Sequence, residues 1–121
     1  MMKFYKNNEI GEILAVRADE TADTAGMTEI TPNTTDAAKE KHVPVIAREG
    51  QTVTVTVGSA AHPMLENHYI QWIILETQNG VEKKELNPGE EPAAQFFVAE
   101  DDTVIAAYES CNLHGIWAAN A

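Results

Sequence analysis

The sequence predicts an all-β fold, an immunoglobulin-like antiparallel β-sandwich with a short N-terminal appended segment. The chain has 121 residues, which suits one domain that buries its core without disulfides. Residues Gln51–Val57 alternate valine with threonine, a period of two that is typical of a half-buried strand. Short apolar runs separated by turn residues follow His42, and no amphipathic helix of useful length is visible. These patterns favour six or seven strands in two packed sheets.

Composition divides the chain into two parts. Residues 1–36 contain few large apolar side chains, and we interpret them as the appended segment. Residues 37–121 form the predicted sandwich domain. Its first strand, Val43–Arg48, is predicted to lie at a sheet edge, because Pro44 has no N–H to donate to a neighbouring strand.

The remaining predicted strands follow the alternating one. His68–Thr77 is rich in β-branched and aromatic residues and leads to Asn79-Gly80, a dipeptide favoured in two-residue type I′ turns. Val81–Leu86 then resumes the apolar pattern, so the two runs predict a hairpin. Ala93–Ala99 and Thr103–Tyr108 are the last two predicted strands, and turn residues precede each of them.

Charge and composition exclude several classes of function. The formal net charge is -11 with a pI near 4.6, which argues against nucleic acid or an anionic membrane as a partner. No apolar run approaches the roughly 18 residues that a membrane span needs. The sequence shows no secretory leader, and its single cysteine cannot form an intramolecular disulfide. We therefore expect a cytoplasmic protein.

The basic residues are few but unevenly spread. Three of the eight fall within ten residues of one another, at Lys39, Lys41 and Arg48. This spacing predicts a local patch of positive charge on an acidic protein.

The side chains best suited to bind a transition metal lie at the ends of predicted strands or in the loops beside them. They include every histidine and the only cysteine in the chain: His42, His62, His68, Cys111 and His114. Loops from distant parts of a sandwich meet at the ends of its sheets, so these residues predict a shared metal site.

The ligand types favour a redox metal but leave alternatives open. Structural zinc takes four ligands, typically with several thiolates, whereas one thiolate among imidazoles suits iron or copper. A cupredoxin-like copper electron carrier would use His68, Cys111 and His114. It would take Met64 as an axial ligand and leave two histidines without a role. In a third interpretation, the chain is a metal-free or zinc-bearing interaction module in which the histidines are incidental.

Three sequence blocks, in this order, resemble the signature of one family of iron enzymes. The blocks are Glu40–Ile46, His62–Met64 with His68–Ile73, and Cys111–Trp117. They are similar to those of superoxide reductases of the desulfoferrodoxin and neelaredoxin kind, and the resemblance spans about residues 27 to 118. Three concurrent blocks are far more specific than a single Cys-x-x-His motif.

This resemblance implies one mononuclear iron per chain, held by the four histidines and by Cys111 opposite an open position for superoxide. It implies reduction of superoxide to hydrogen peroxide, with iron alternating between Fe(II) and Fe(III) and an external donor such as rubredoxin returning the electron. Glu40 would be the carboxylate that closes the open position in the oxidised state. Lys41 would be the cation that attracts the anion. The family also implies a homo-oligomer.

The resemblance weakens in the first 36 residues. In desulfoferrodoxins this segment carries a rubredoxin-like iron site on four cysteines. Here Asn7 and Ile10 stand where the family has Cys-x-x-Cys, and Ala22-Asp23 stands near the position of a cysteine pair. Neither side chain of the first pair can replace a thiolate on iron, so we expect no second iron site. We interpret residues 1–36 as a vestigial segment without metal ligands.

Overall fold

The computed structural model describes residues 1–121, and nearly all of its regular elements are antiparallel strands. In chain order, the elements are β1 (Lys3–Asn7), β2 (Ile13–Val16), β3 (Met27–Ile30), α1 (Lys39–His42), β4 (Pro44–Glu49), β5 (Thr52–Val57), β6 (Ile70–Thr77), β7 (Gly80–Glu85), β8 (Ala93–Phe97), β9 (Val104–Cys111) and β10 (Gly115–Asn120). The helix α1 is a single turn, and no helix is long and apolar enough to cross a membrane.

Two sheets form the sandwich. One has the strand order β4-β5-β8 and the other has the order β10-β9-β6-β7. Every valine of β5 is fully buried between them, while the intervening threonines are half-buried. Ile73 and Leu75 of β6 and Phe96 of β8 belong to the same core cluster. The predicted antiparallel sandwich is therefore confirmed, and so is the edge position of β4.

The first three strands form a third sheet, in the order β2-β1-β3, which covers the outer face of the four-stranded sheet. Phe4 is fully buried there, with its ring centroid 6.0 Å from that of Trp72 and 5.1 Å from that of Tyr108. The Met2 N–H donates to the Tyr108 hydroxyl at 3.1 Å, and this hydroxyl donates to Glu76 at 2.8 Å. Residues 1–36 thus contribute a packed layer, and their vestigial origin remains a prediction.

The structure corrects the end of the last predicted strand. β9 continues to Cys111, and a further strand, β10, pairs with it antiparallel from Gly115 onward. Asn33 continues the hydrogen bonding on the free side of β10. Its side chain accepts from the Ala118 N–H at 2.8 Å and donates to the Ala118 carbonyl at 3.1 Å.

The predicted hairpin is confirmed, but the predicted type of turn is wrong. Thr77 pairs with Gly80, so Gln78 and Asn79 form the two-residue loop. Neither has the positive φ that a type I′ turn requires. Both loop amides instead donate to the neighbouring loop: Gln78 N–H to the Thr103 carbonyl at 3.0 Å and Asn79 N–H to the Asp102 carboxylate at 3.3 Å.

Candidate metal centre

The segments that carry the predicted ligands meet at one end of the sandwich. Pro44 at the start of β4 pairs with Val57 at the end of β5, and Ile70 at the start of β6 pairs with Cys111 at the end of β9. Consequently α1, the loop 58–69 and the loop 112–114 all lie at that end. One potential donor atom from each predicted ligand lies within 4.8 Å of all the others: His42, His62, His68, Cys111 and His114.

The four imidazole rings follow one another in a closed circuit. Neighbouring ring centroids are 4.7 Å apart for His42–His62 and for His62–His68, 5.1 Å for His68–His114, and 4.9 Å for His114–His42. Each ring is nearly perpendicular to the next, with interplanar angles from 77° to 84°. Four rings in this arrangement can direct four nitrogens towards one centre.

Hydrogen bonds to backbone carbonyls fix which nitrogen of two rings faces the centre. His42 Nδ1 donates to the Ala38 carbonyl at 2.7 Å, and His62 Nδ1 donates to the Pro63 carbonyl at 2.6 Å. Because a carbonyl can only accept, Nδ1 carries the proton, and the Nε2 atom of each neutral ring has a lone pair that it can offer to a metal.

The other two rings complete the inward-facing set. His68 Nε2 is buried without a hydrogen-bond partner, although buried polar atoms rarely lack one. His114 Nδ1 lies 3.1 Å from His42 Nε2. Two nitrogens bound at right angles to one ion, each about 2.1 Å from it, would be about 3.0 Å apart. The donor set therefore fits a transition metal.

Burial keeps three of the imidazoles in the neutral form that binds metal. It lowers the pKa of His62 to about 4, against the opposing effect of the hydrogen bond to Pro63. Burial also lowers the pKa of His42 and of His68. These rings do not need to lose a proton before binding a metal near neutral pH.

The Cys111 sulfur lies 3.5 Å from His62 Nε2 and 3.9 Å from His114 Nδ1. Burial raises the pKa of this thiol, while backbone hydrogen bonds from Leu113 and His114 act in the opposite direction. The two amides thus favour the thiolate, as expected for groups that tune a metal-bound sulfur. A bound cation would stabilise the thiolate further.

Two residues that support the ligands were not assigned a role from the sequence. Trp117 donates its indole N–H to the His114 carbonyl at 3.0 Å and packs its ring 5.0 Å from that of His42. Asn112 accepts from the Tyr69 N–H at 2.9 Å and donates to the Asn67 carbonyl at 3.0 Å. Asn112 therefore ties the loop that carries His68 to the loop that carries His114.

Glu40 and Lys41 are exposed on α1, directly before His42, and neither forms a salt bridge. Each of the two charges acts on the pKa of a histidine in the donor cluster. Lys41 contributes to the lowered pKa of His68, and Glu40 partly opposes the lowering at His42.

The predicted patch of three basic residues does not exist. Arg48 lies near the far end of β4, where Glu49 pairs with Thr52. Its guanidinium donates to the backbone carbonyls of Asp102 and Ala99 at 2.6 and 3.1 Å. Of the three, only Lys39 and Lys41 lie on the turn that bears His42.

The geometry does not support the cupredoxin-like alternative. Met64, its axial ligand, is packed against the sandwich core, and its sulfur accepts the Ile70 N–H at 3.4 Å. The two histidines that a copper carrier would leave without a role, His42 and His62, lie inside the donor cluster.

Comparison with known proteins identifies the family. Residues 34–120 match the sequence model of the desulfoferrodoxin family. The chain belongs to the desulfoferrodoxin family. A desulfoferrodoxin homolog from Archaeoglobus fulgidus is 56% identical over 84 residues, which make up 69% of this chain and 66% of that protein. A desulfoferrodoxin from Nitratidesulfovibrio vulgaris is 52% identical over 88 residues, covering 73% of this chain and 68% of that protein.

Among solved structures, the similarity extends over nearly the whole of this chain. The superoxide reductase from Treponema pallidum matches with a TM-score of 0.81 and 37% identity, over 99% of both chains. A superoxide reductase from Giardia intestinalis matches with a TM-score of 0.59 and 35% identity, over 69% of this chain and 98% of that one. The family predicted from the sequence blocks is therefore confirmed.

Proposed function

We propose that this chain is a superoxide reductase, which reduces superoxide with one electron and two protons to hydrogen peroxide. One observation carries the proposal: donor atoms of four imidazoles and one cysteine lie within 4.8 Å of one another in a member of the desulfoferrodoxin family. Superoxide reductases are also among its structural neighbours.

The proposed metal ligands are those predicted from the sequence: His42, His62, His68, Cys111 and His114. Iron bound by them would alternate between the ferrous and ferric states and supply the electron. The protein's part is to hold four imidazole nitrogens and one sulfur in fixed directions. The carbonyls of Ala38 and Pro63 orient two rings, and Trp117 holds the backbone of His114.

Lys41 and Glu40 take the two remaining roles. The exposed Lys41 ammonium attracts the superoxide anion towards the site, because its charge is close enough to act on His68. The Glu40 carboxylate is the proposed ligand of the oxidised resting state. It lies on the same turn, and its charge acts on His42.

The reaction also specifies partners. Each turnover consumes one electron and releases no dioxygen, so an external one-electron donor such as a rubredoxin must return it. A cytoplasmic location suits a chain whose only cysteine is a free thiol and a proposed metal ligand rather than half of a disulfide. Association with a second copy of the chain remains a prediction that light scattering of the purified protein would test.

The proposal is tested by the amount of product formed for each superoxide consumed. The protein should contain one iron per chain and, when oxidised, show a thiolate-to-iron absorption band. Reduced protein mixed anaerobically with superoxide should yield one hydrogen peroxide per superoxide without releasing dioxygen. Zinc-loaded protein is the control, because zinc has no redox chemistry. Release of one dioxygen for every two superoxide ions would indicate dismutation and refute the proposal.

A further inference from the structure

The backbone of α1 lies directly against Gly58, which is buried. A methyl group at position 58 would lie 2.7 Å from the Glu40 carbonyl oxygen, 3.0 Å from the Val43 carbonyl oxygen and 3.1 Å from the Lys41 carbonyl carbon. All three are backbone atoms, so rotation of a side chain cannot relieve the overlap. Only a residue without a Cβ lets α1 approach this closely.

Hydrogen bonds hold α1 in this position. The Ala60 N–H donates to the Glu40 carbonyl at 2.8 Å, and the Ser59 hydroxyl donates to the same oxygen at 3.3 Å. His62 N–H donates to the Val57 carbonyl at 3.0 Å, which closes the loop. One short loop therefore seats the turn that bears His42 and also carries the neighbouring ligand His62.

We propose that Gly58 is a positioning residue of the metal centre. By letting α1 rest on the loop 58–62, it sets the place of His42 relative to His62, and it sets the place of Lys41 relative to both. Because all of these contacts are made within the polypeptide, the proposal requires that this arrangement forms without bound metal. The inference rests on the proposed function for the role of Lys41, but not for the placement of the two histidines.

The size of the overlap indicates how large the effect is. For ordinary van der Waals contact, the distance to the Glu40 oxygen must open from 2.7 to 3.4 Å. A shift of about 0.7 Å exceeds the roughly 0.5 Å within which functional side chains must be held. Changes in the groups that orient metal ligands typically lower metal affinity by about ten- to a hundredfold.

Zinc affinity, measured by competition with a chelator, tests the proposal without depending on superoxide chemistry. Gly58→Ala should lower zinc affinity at least tenfold and shift the thiolate absorption of the cobalt-loaded protein. Gly80→Ala is the matched control, because a methyl group there meets nothing within 4 Å, and it should leave both measurements unchanged. Equal affinity and identical cobalt spectra for wild type and Gly58→Ala would overturn the proposal.

Amide exchange in the wild-type protein provides a second test if Gly58→Ala does not fold. If Gly58 seats α1 before metal binds, the Ala60 amide should exchange slowly in metal-free protein, within about tenfold of its rate in zinc-loaded protein. Exchange at the rate of an exposed amide after metal removal would show that the metal holds the turn, and the proposal would then be wrong. Wild type that binds zinc but fails the peroxide test would refute the proposed function alone.

Discussion

Replacing Lys41 with alanine should slow the reaction of the reduced protein with superoxide by about ten- to thirtyfold. The side chain is exposed beside His42, and its charge already acts on His68. Two unit charges about 5 Å apart interact by roughly 3 kcal/mol at an effective dielectric constant of about 20. Solvent exposure reduces this to about 1.4 to 2 kcal/mol, which corresponds to a factor of about ten to thirty.

The prediction requires local charge to dominate the field of an acidic protein. A net charge of -11 repels an anion, but the Debye length is about 8 Å at physiological ionic strength, so distant carboxylates are largely screened. Arg48 cannot supply the attraction, because its guanidinium is bound to backbone carbonyls at the other end of β4. Lys39, at the start of α1, is the other cation on this turn.

Pulse radiolysis of the reduced protein across a salt series measures the association rate directly. Lys41→Arg should keep most of the rate, whereas Lys41→Ala should lose both rate and salt dependence at unchanged iron content and spectrum. Lys3→Ala makes the same change of charge at the far end of the molecule, beside Asn120, and should behave as wild type. If Lys41→Ala reacts as fast as wild type with the same salt dependence, Lys41 does not steer superoxide, and Lys39 is the next candidate.

Three further predictions test the ligand, the number of irons and the role of the N-terminal sheet. Cys111→Ser replaces a soft thiolate by a harder and far less acidic hydroxyl, so the thiolate band should vanish and superoxide reduction should fall severely; an iron-loaded variant that retains both would show that Cys111 is not a ligand. Well-loaded protein should contain one iron per chain by elemental analysis, and a second iron bound within residues 1–36 would contradict the assignment of that segment. Phe4→Ala should lower the free energy of unfolding in urea by about 3 to 5 kcal/mol, because Phe4 is fully buried between two aromatic rings. Replacing the exposed Lys6 by alanine is the control and should change that free energy by less than about 0.5 kcal/mol. Equal effects of these two changes would mean that the sheet does not support the sandwich.

The donor cluster could be predicted because its residues are rare in this chain and lie at positions that a sandwich brings together. The strands of the sandwich were predictable where β-branched residues alternate, as in β5, or form a dense run, as in β6. β10 was not predicted, because it ends in Ala118, Ala119 and Asn120, residue types that are depleted in strands. Its pairing comes from β9 and from Asn33, contacts that only the folded chain provides.

The third layer left one signal in the sequence. Residues Trp72–Leu75 of β6 form a continuous apolar run, and the structure buries this strand on both faces, whereas a strand with one face in water alternates. A run of this kind is typical of a sheet that is covered on both faces, but it does not identify residues 1–36 as the cover. The predicted basic patch failed for a different reason. Six residues of extended chain, at about 3.3 Å each, separate Arg48 from His42 by up to about 20 Å.

The N-terminal sheet packs on the strand that leads to Cys111, although it contains none of the proposed ligands. Along β9, Ala107 and Cys111 face the sandwich core, while Ala106 and Tyr108 face the layer that contains Phe4. The strand that ends at the sulfur is therefore shielded from water on both faces. Burial in the sandwich core raises the pKa of the Cys111 thiol, because water no longer stabilises the thiolate as it does for an exposed cysteine. Stabilisation of the thiolate falls to the amides of Leu113 and His114, and a metal held by the five residues would add to it, so that the acidity of this thiol would depend on metal binding.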